Sequence, residues 1–131
     1  MLGEGGTPLE KLQAAIREFV ARDERPVDLK EYRAAIDCLD GDFSASAREA
    51  QRAGEHLVAG SITAASWIAR TCGMSVSSAA DRVRVGEQLE SLPMVAAALG
   101  SGEISYQAAS ALCHLHERLG EHREGFDEEE M

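Results

Sequence analysis

Apolar side chains recur along the chain at the three- and four-residue spacing of amphipathic helices. Thr7 can cap a first helix, with Glu10 closing a capping box. The apolar stripe that follows consists of Leu9, Leu12, Ile16, Phe19 and Val20. After a break at Arg25-Pro26, Asp28 can cap a second helix. Its stripe consists of Leu29, Tyr32, Ile36 and Leu39.

Turn signals divide the rest of the chain into shorter helices. Asp40-Gly41-Asp42 predicts a turn, and Ser46 with Glu49 predicts the start of a third helix. Later helices are expected over residues 64–72, 75–91, 94–99 and 105–119. No strand-like alternation of useful length occurs. The pattern therefore predicts an all-α fold, a compact bundle of about six to seven short helices.

The acidic charge is concentrated towards the end of the sequence. The chain has 13 basic and 23 acidic residues, and residues 117–131 hold seven of the acids. A capping Asp127 followed by three glutamates is typical of a helix start. We therefore expect one helical domain over residues 1–120, and an acidic tail or the start of a truncated helix over residues 121–131.

The hydropathy of the chain, its N-terminus and its cysteines all indicate the same cellular compartment. No apolar run approaches the roughly 20 residues that span a bilayer, and the N-terminus lacks the features of a signal peptide. Cys38, Cys72 and Cys113 are far apart and have no CxxC spacing, so buried, unreactive thiols are expected. These features predict a cytoplasmic protein with no membrane contact.

A helix-turn-helix spacing lies within residues 64–91. A small Ala69, a glycine at Gly73 and a capping serine at Ser75 suit two helices that meet at a tight turn. The candidates for DNA contact in this unit are Arg70, Ser75, Ser77, Ser78, Arg82 and Arg84. The same spacing is also ordinary helix packing, and Asp81 would repel phosphate at a groove-facing position.

A wider set of residues, in order along residues 60–120, carries a family resemblance. It includes the tryptophan of Ala65-Ser66-Trp67-Ile68-Ala69, the turn Gly73-Met74-Ser75, the break Leu92-Pro93 and the helix start Gly102-Glu103-Ile104-Ser105. The chain resembles the family called domain of unknown function 222, found mostly in actinobacterial proteins, where it commonly precedes an HNH endonuclease domain. The resemblance implies a helical module that contacts DNA or positions such a nuclease domain. An HNH module itself is missing from this sequence.

Catalytic and metal-binding patterns are not evident. His114 and His116 are two residues apart and point to different faces of a helix, so exposed histidines are expected there, as for His56 and His122. Ser77-Ser78 has no nearby His–Asp arrangement. We expect no enzymatic activity, no metal or other cofactor and no small-molecule ligand.

Two functions stay open. The first is a non-catalytic module that contacts DNA or positions a nuclease domain. The second is a protein–protein or oligomerisation module, such as a homodimer, without nucleic-acid contact. Exposed arginines on the fifth helix would favour the first, whereas a broad apolar face on the first and last helices would favour the second.

Overall fold

Seven helices and no strand occur in the described part of the chain, residues 5–120 of a computed structural model. They are α1 (Pro8–Val20), α2 (Leu29–Arg52), α3 (Glu55–Val58), α4 (Ala64–Cys72), α5 (Val76–Leu89), α6 (Pro93–Gly100) and α7 (Tyr106–Gly120). The predicted all-α bundle is confirmed. Within these residues no helix is both long and apolar enough to cross a membrane. The interpretation of residues 121–131 lies outside the described part.

Several helices begin where the sequence predicts a cap. The Thr7 hydroxyl accepts a hydrogen bond from the Glu10 backbone N–H, and the Glu10 carboxylate accepts one from the Thr7 N–H, which completes the capping box of α1. Asp28 accepts bonds from two backbone N–H groups at the start of α2. These caps satisfy donors that have no partner within the helix.

The predicted turn at Asp40-Gly41-Asp42 and the separate helix start at Ser46 are both wrong. α2 runs without interruption from Leu29 to Arg52. Gly41 is buried in the middle of this helix, and a Cβ atom built on it would lie 2.6 Å from Cδ2 of Leu99 in α6. The glycine therefore allows close helix packing instead of a change in chain direction.

The interior consists of two apolar clusters. One joins α5, α6 and α7 through Val85, Leu92, Val95, Leu99, Tyr106, Ala109 and Cys113. The other joins α2, α4 and α5 through Ala47, Ala64, Ile68, Ala69, Ala79 and Val83. Trp67 is partly buried and packs against the second cluster, where its large ring adds apolar contact between α4 and the rest of the cluster. α5 contributes buried residues to both clusters and lies at the centre of the bundle.

Candidate functional site

The helix-turn-helix spacing produces the local geometry that it predicts. α4 ends at Gly73, whose φ of +68° and ψ of +38° are left-handed, and the Gly73 N–H donates to the carbonyl of the buried Ala69. Ser75 caps α5, because its hydroxyl accepts a hydrogen bond from the Ser78 backbone N–H at 3.1 Å. The unit therefore has its predicted turn and cap.

The three arginines predicted to contact DNA all have partners inside the protein. Arg82 donates to both carboxylate oxygens of Asp40. Arg84 pairs with Glu117 of α7 at 3.1 Å, and Arg70 donates to the Ser61 hydroxyl at 2.6 Å. Arg82 and Arg84 thus form ion pairs that join α5 to other helices, whereas Arg70 bonds to the loop before its own helix.

The three serines predicted to contact DNA lie together at the start of α5. Ser75 and Ser77 are exposed, with their hydroxyl oxygens 3.3 Å apart, and Ser78 is half-buried. Since Ser75 and Ser78 form the cap, Ser77 is the member of this set whose side chain is most available for an external contact.

Asp81 is the centre of a polar cluster that the sequence reasoning missed. One of its oxygens, Oδ2, accepts a hydrogen bond from the Tyr106 hydroxyl at 2.8 Å. The other, Oδ1, accepts one from the Ser110 hydroxyl at 2.8 Å and lies 3.1 Å from Nε2 of His114. We call these four residues, together with Arg82 and Asp40, the Asp81 cluster. The interpretation of Asp81 as a groove-facing residue does not fit these contacts.

Hydrogen bonding decides the charge state within this cluster. Partial burial favours a higher pKa for Asp81, but the bonds from Tyr106, Ser110 and His114 outweigh it and hold that pKa below its ordinary value. Burial, reinforced by the bond to the Asp81 carboxylate, raises the pKa of Tyr106 well above that of a free phenol. The cluster therefore contains an ionised carboxylate and a neutral phenol at neutral pH.

The cluster does not have the order of a nucleophilic triad. In such a triad a histidine lies between the serine and the acid. Here Ser110 and His114 both contact the same oxygen of Asp81, so the acid lies in the middle. A cavity of about 360 Å³ adjoins the cluster, and the cluster residues that line it are already bonded to one another. This arrangement ties α2, α5 and α7 together.

A signal for the Asp81 cluster is present in the sequence. Tyr106, Ser110 and His114 are spaced four residues apart, which places them on one face of α7. A polar stripe of that kind on an otherwise apolar helix predicts a buried polar partner, because buried polar groups are paired.

Two predictions about reactive side chains are corrected. His114 and His116 were expected in solvent, yet both are partly buried, and His116 Nδ1 lies 2.6 Å from the Gln88 side-chain oxygen. His56 is also partly buried, and His122 lies outside the described residues.

Of the cysteines expected to be buried, Cys113 is buried, Cys38 is partly buried and Cys72 is exposed. In the described part of the chain no three His, Cys, Asp or Glu residues converge to hold a metal ion.

A wide apolar surface lies on α1 and the first half of α2, outside both core clusters. No residue of α1 is buried, although its stripe is strongly apolar. α1 and the first half of α2 line a groove of about 510 Å³. We call it the α1–α2 groove, and its large apolar side chains, each exposed by more than a third except Tyr32, are Leu12, Ile16, Phe19, Val20, Val27, Tyr32, Ile36 and Leu39.

For an interaction module, the sequence predicts an exposed apolar face on the first and last helices. The groove is such a face, but it lies on α1 and α2. On α7, the stripe residues Leu112, Leu115 and Leu119 are partly buried. The sequence shows the stripes of α1 and α2 but not that they remain uncovered, because periodicity does not tell which surface covers a face.

Comparison with known proteins adds no relative. The chain matches no protein-family model, no curated protein and no solved structure. The resemblance to the domain of unknown function 222 therefore stays a prediction.

Proposed function

We propose that this chain is a non-catalytic cytoplasmic module that binds another polypeptide through the α1–α2 groove. The observation that carries the proposal is the exposure of one apolar face shared by two neighbouring helices. Single folded chains rarely leave more than a few hundred Å² of contiguous apolar surface in water, and larger patches mark interaction sites. Covering this face removes that surface from solvent, which favours association.

The chemistry of the groove suits a polypeptide better than a charged ligand. Eight large apolar side chains line it, and the charged residues in its wall are Asp28 and Glu31. A helix that presents apolar side chains at three- and four-residue spacing fits a groove between two helices. An HNH nuclease domain of the kind implied by the family resemblance is one candidate for such a polypeptide.

DNA contact is the second candidate, and the exposed first turn of α5 favours it. Val76 and Ser77 are exposed there, and a helix N-terminus can accept a phosphate. The engaged arginines and the net charge of −10 weigh against it. Fluorescence anisotropy of labelled duplex DNA at low and physiological salt tests this role. Binding should be lost in Ser77→Glu and kept in Ser46→Glu, since Ser46 is an exposed serine of α2 outside the unit.

Site-specific photo-crosslinking in cells tests the main proposal. A benzophenone amino acid replaces Leu12 or Leu39 in the groove, and Ser77 in a control protein. We expect covalent adducts with a polypeptide from the two groove positions and none from the control. A folded protein that gives no adduct from either groove position, or equal adducts from all three, would overturn the proposal.

A further inference from the structure

The partner that best fits the groove is a second copy of this chain. We infer that two copies pack their α1–α2 grooves against each other, which forms a four-helix bundle across a twofold axis. This inference rests on the proposed function and names the polypeptide that binds. Four observations support it: the register of α1 on α2, the area of the exposed apolar surface, the charges around it, and the composition of residues 121–131.

The two helices form one half of a four-helix bundle. Phe19 of α1 contacts Tyr32 of α2 edge to face, with ring centroids 5.1 Å apart. Leu12, seven residues before Phe19, lines the groove with Leu39, seven residues after Tyr32. Because seven residues are about two helical turns, α1 runs antiparallel to the first half of α2. A second hairpin of the same kind supplies the other two helices, as in dimers built from helix pairs.

The exposed apolar surface is large enough for a stable dimer. The exposed fractions are 45% for Ile16, 51% for Val20 and 42% for Leu39, and the stripes continue to Leu9 at 61% and Phe43 at 37%. Side chains of this size at these fractions present roughly 600–800 Å² in total, near the area that each partner contributes to a stable interface. Two facing grooves therefore bury an area typical of a specific dimer.

The charge of this region permits two copies to approach. Residues 8–36 hold six basic and six acidic side chains, and the stretch up to Phe43 adds Asp37, Asp40 and Asp42, of which Asp37 pairs with Arg33 and Asp40 with Arg82. The twelve residues are Glu10, Lys11, Arg17, Glu18, Arg22, Asp23, Glu24, Arg25, Asp28, Lys30, Glu31 and Arg33. Most charged side chains of this segment are therefore matched by one of opposite sign, which limits the repulsion between two copies.

The last residues of this chain do not fit the groove. Residues 121–131 include six acids and only two large apolar side chains, Phe126 and Met131. Two apolar side chains cannot cover the eight that line the groove. The acids would also lie close to Asp28 and Glu31 in the groove wall and be repelled by them. A second hairpin fits better, since it brings an equal apolar stripe and only two acids, its own Asp28 and Glu31, in the groove wall.

Sedimentation equilibrium over a range from low micromolar to near-millimolar concentration tests the inference with the full chain. We expect a monomer–dimer equilibrium whose dissociation constant rises at least about 100-fold in Ile16→Glu, because the two-fold axis places two charges in the apolar interface. Leu39→Glu provides the same test from α2. The matched control is Ile62→Glu, since Ile62 is an isoleucine 90% exposed outside the groove; it should leave the equilibrium unchanged.

The adducts of the photo-crosslinking experiment separate this inference from the proposed function. Adducts that join Leu12 or Leu39 to an α1 or α2 peptide of another copy support the dimer. A chain that stays monomeric at every concentration, or a dimer that both groove variants leave intact, overturns it. Monomers whose groove positions crosslink to a different polypeptide overturn the dimer and leave the proposed function standing, whereas monomers without adducts overturn both.

Discussion

Arg82 of α5 donates two parallel hydrogen bonds to the carboxylate of Asp40 on α2, from Nε to Oδ1 at 3.1 Å and from Nη2 to Oδ2 at 3.0 Å. The guanidinium also lies over the Tyr106 ring, 4.5 Å from its centroid. Both charged side chains are only 21% exposed. The fork therefore joins α2 to α5 with a geometry that a lysine could not reproduce.

Loss of the two-bond ion pair between Arg82 and Asp40 should destabilise the domain. We expect Arg82→Ala to lower the free energy of unfolding by about 2 kcal/mol, because it leaves a partly buried carboxylate without its charged partner. Urea denaturation at neutral pH measures the change. Arg118→Ala, on an exposed part of α7, is the control and should change stability by less than about 0.5 kcal/mol. Equal losses in the two variants would contradict the structural role of Arg82.

The decrease of the free energy of unfolding at low pH should depend on Asp81. Although partial burial opposes it, hydrogen bonding keeps the folded-state pKa of Asp81 below the ordinary value of 3.8. The stabilisation is therefore fully present above the unfolded-state pKa and is lost as the pH falls through the lower folded-state value. In Asp81→Asn the free energy of unfolding should be lower at neutral pH by about 1–3 kcal/mol, and this deficit should shrink below about pH 4.

Urea unfolding across that pH range measures the difference between the wild-type protein and Asp81→Asn. Asp42→Asn serves as the control, since Asp42 is exposed and lies on the same helix as Asp40. Its free energy of unfolding should decrease at low pH as that of the wild-type protein does. A deficit in Asp81→Asn that stays constant to the lowest pH would show that the hydrogen bonds do not favour the ionised form.

Close approach of α2 and α5 should make Gly86 intolerant of a side chain. A Cβ atom at this position would overlap the carbonyl oxygen of Ser44 and lie 2.8 Å from the Arg48 Cβ atom. We expect Gly86→Ala to cost about 1–3 kcal/mol through overpacking. Gly100→Ala is the matched control, because nothing lies within 4 Å of its added atom, and it should be neutral or stabilising by up to about 1 kcal/mol. Thermal denaturation of both variants distinguishes the outcomes.

Thiol labelling should proceed in separate kinetic phases. Cys72 is exposed and should react first with a disulfide reagent, whereas burial raises the pKa of Cys113 to about 12 and should protect it until the protein unfolds. The Cys38 thiol, which donates to the Gly100 carbonyl at 3.1 Å, should react at an intermediate rate. Cys72→Ser should remove the fast phase and Cys113→Ser should keep it. A fast phase that persists in Cys72→Ser would refute this order.

Local signals in the sequence predict local structure well and tertiary structure poorly. The cap at Thr7 and the turn at Gly73 depend on neighbours within four residues, so the sequence alone is sufficient for them. Gly41 carries the same kind of signal, flanked by two aspartates, yet it lies inside α2. Its role is decided by Leu99, which is distant in the sequence and adjacent in the structure.

The candidate site follows the same rule. Asp81 and its partners on α7 are 25 to 33 residues apart, so only the packing of α5 on α7 reveals that they form one cluster. The sequence does not show that Arg82 and Arg84 of the predicted DNA surface are paired, because their acceptors, Asp40 and Glu117, belong to other helices. The apolar stripe of α1 is visible from its spacing, whereas its exposure depends on what packs beside it.

The position of α5 in both apolar clusters has a consequence for how the domain comes apart. Val85 belongs to one cluster and Val83 to the other, so neither cluster can open without exposing the second. The amide protons of α5 should therefore exchange with solvent only through global unfolding. α1, which buries no residue, can detach at a small fraction of that free energy. The domain thus combines a cooperative interior with a first helix that can rearrange while the rest stays folded.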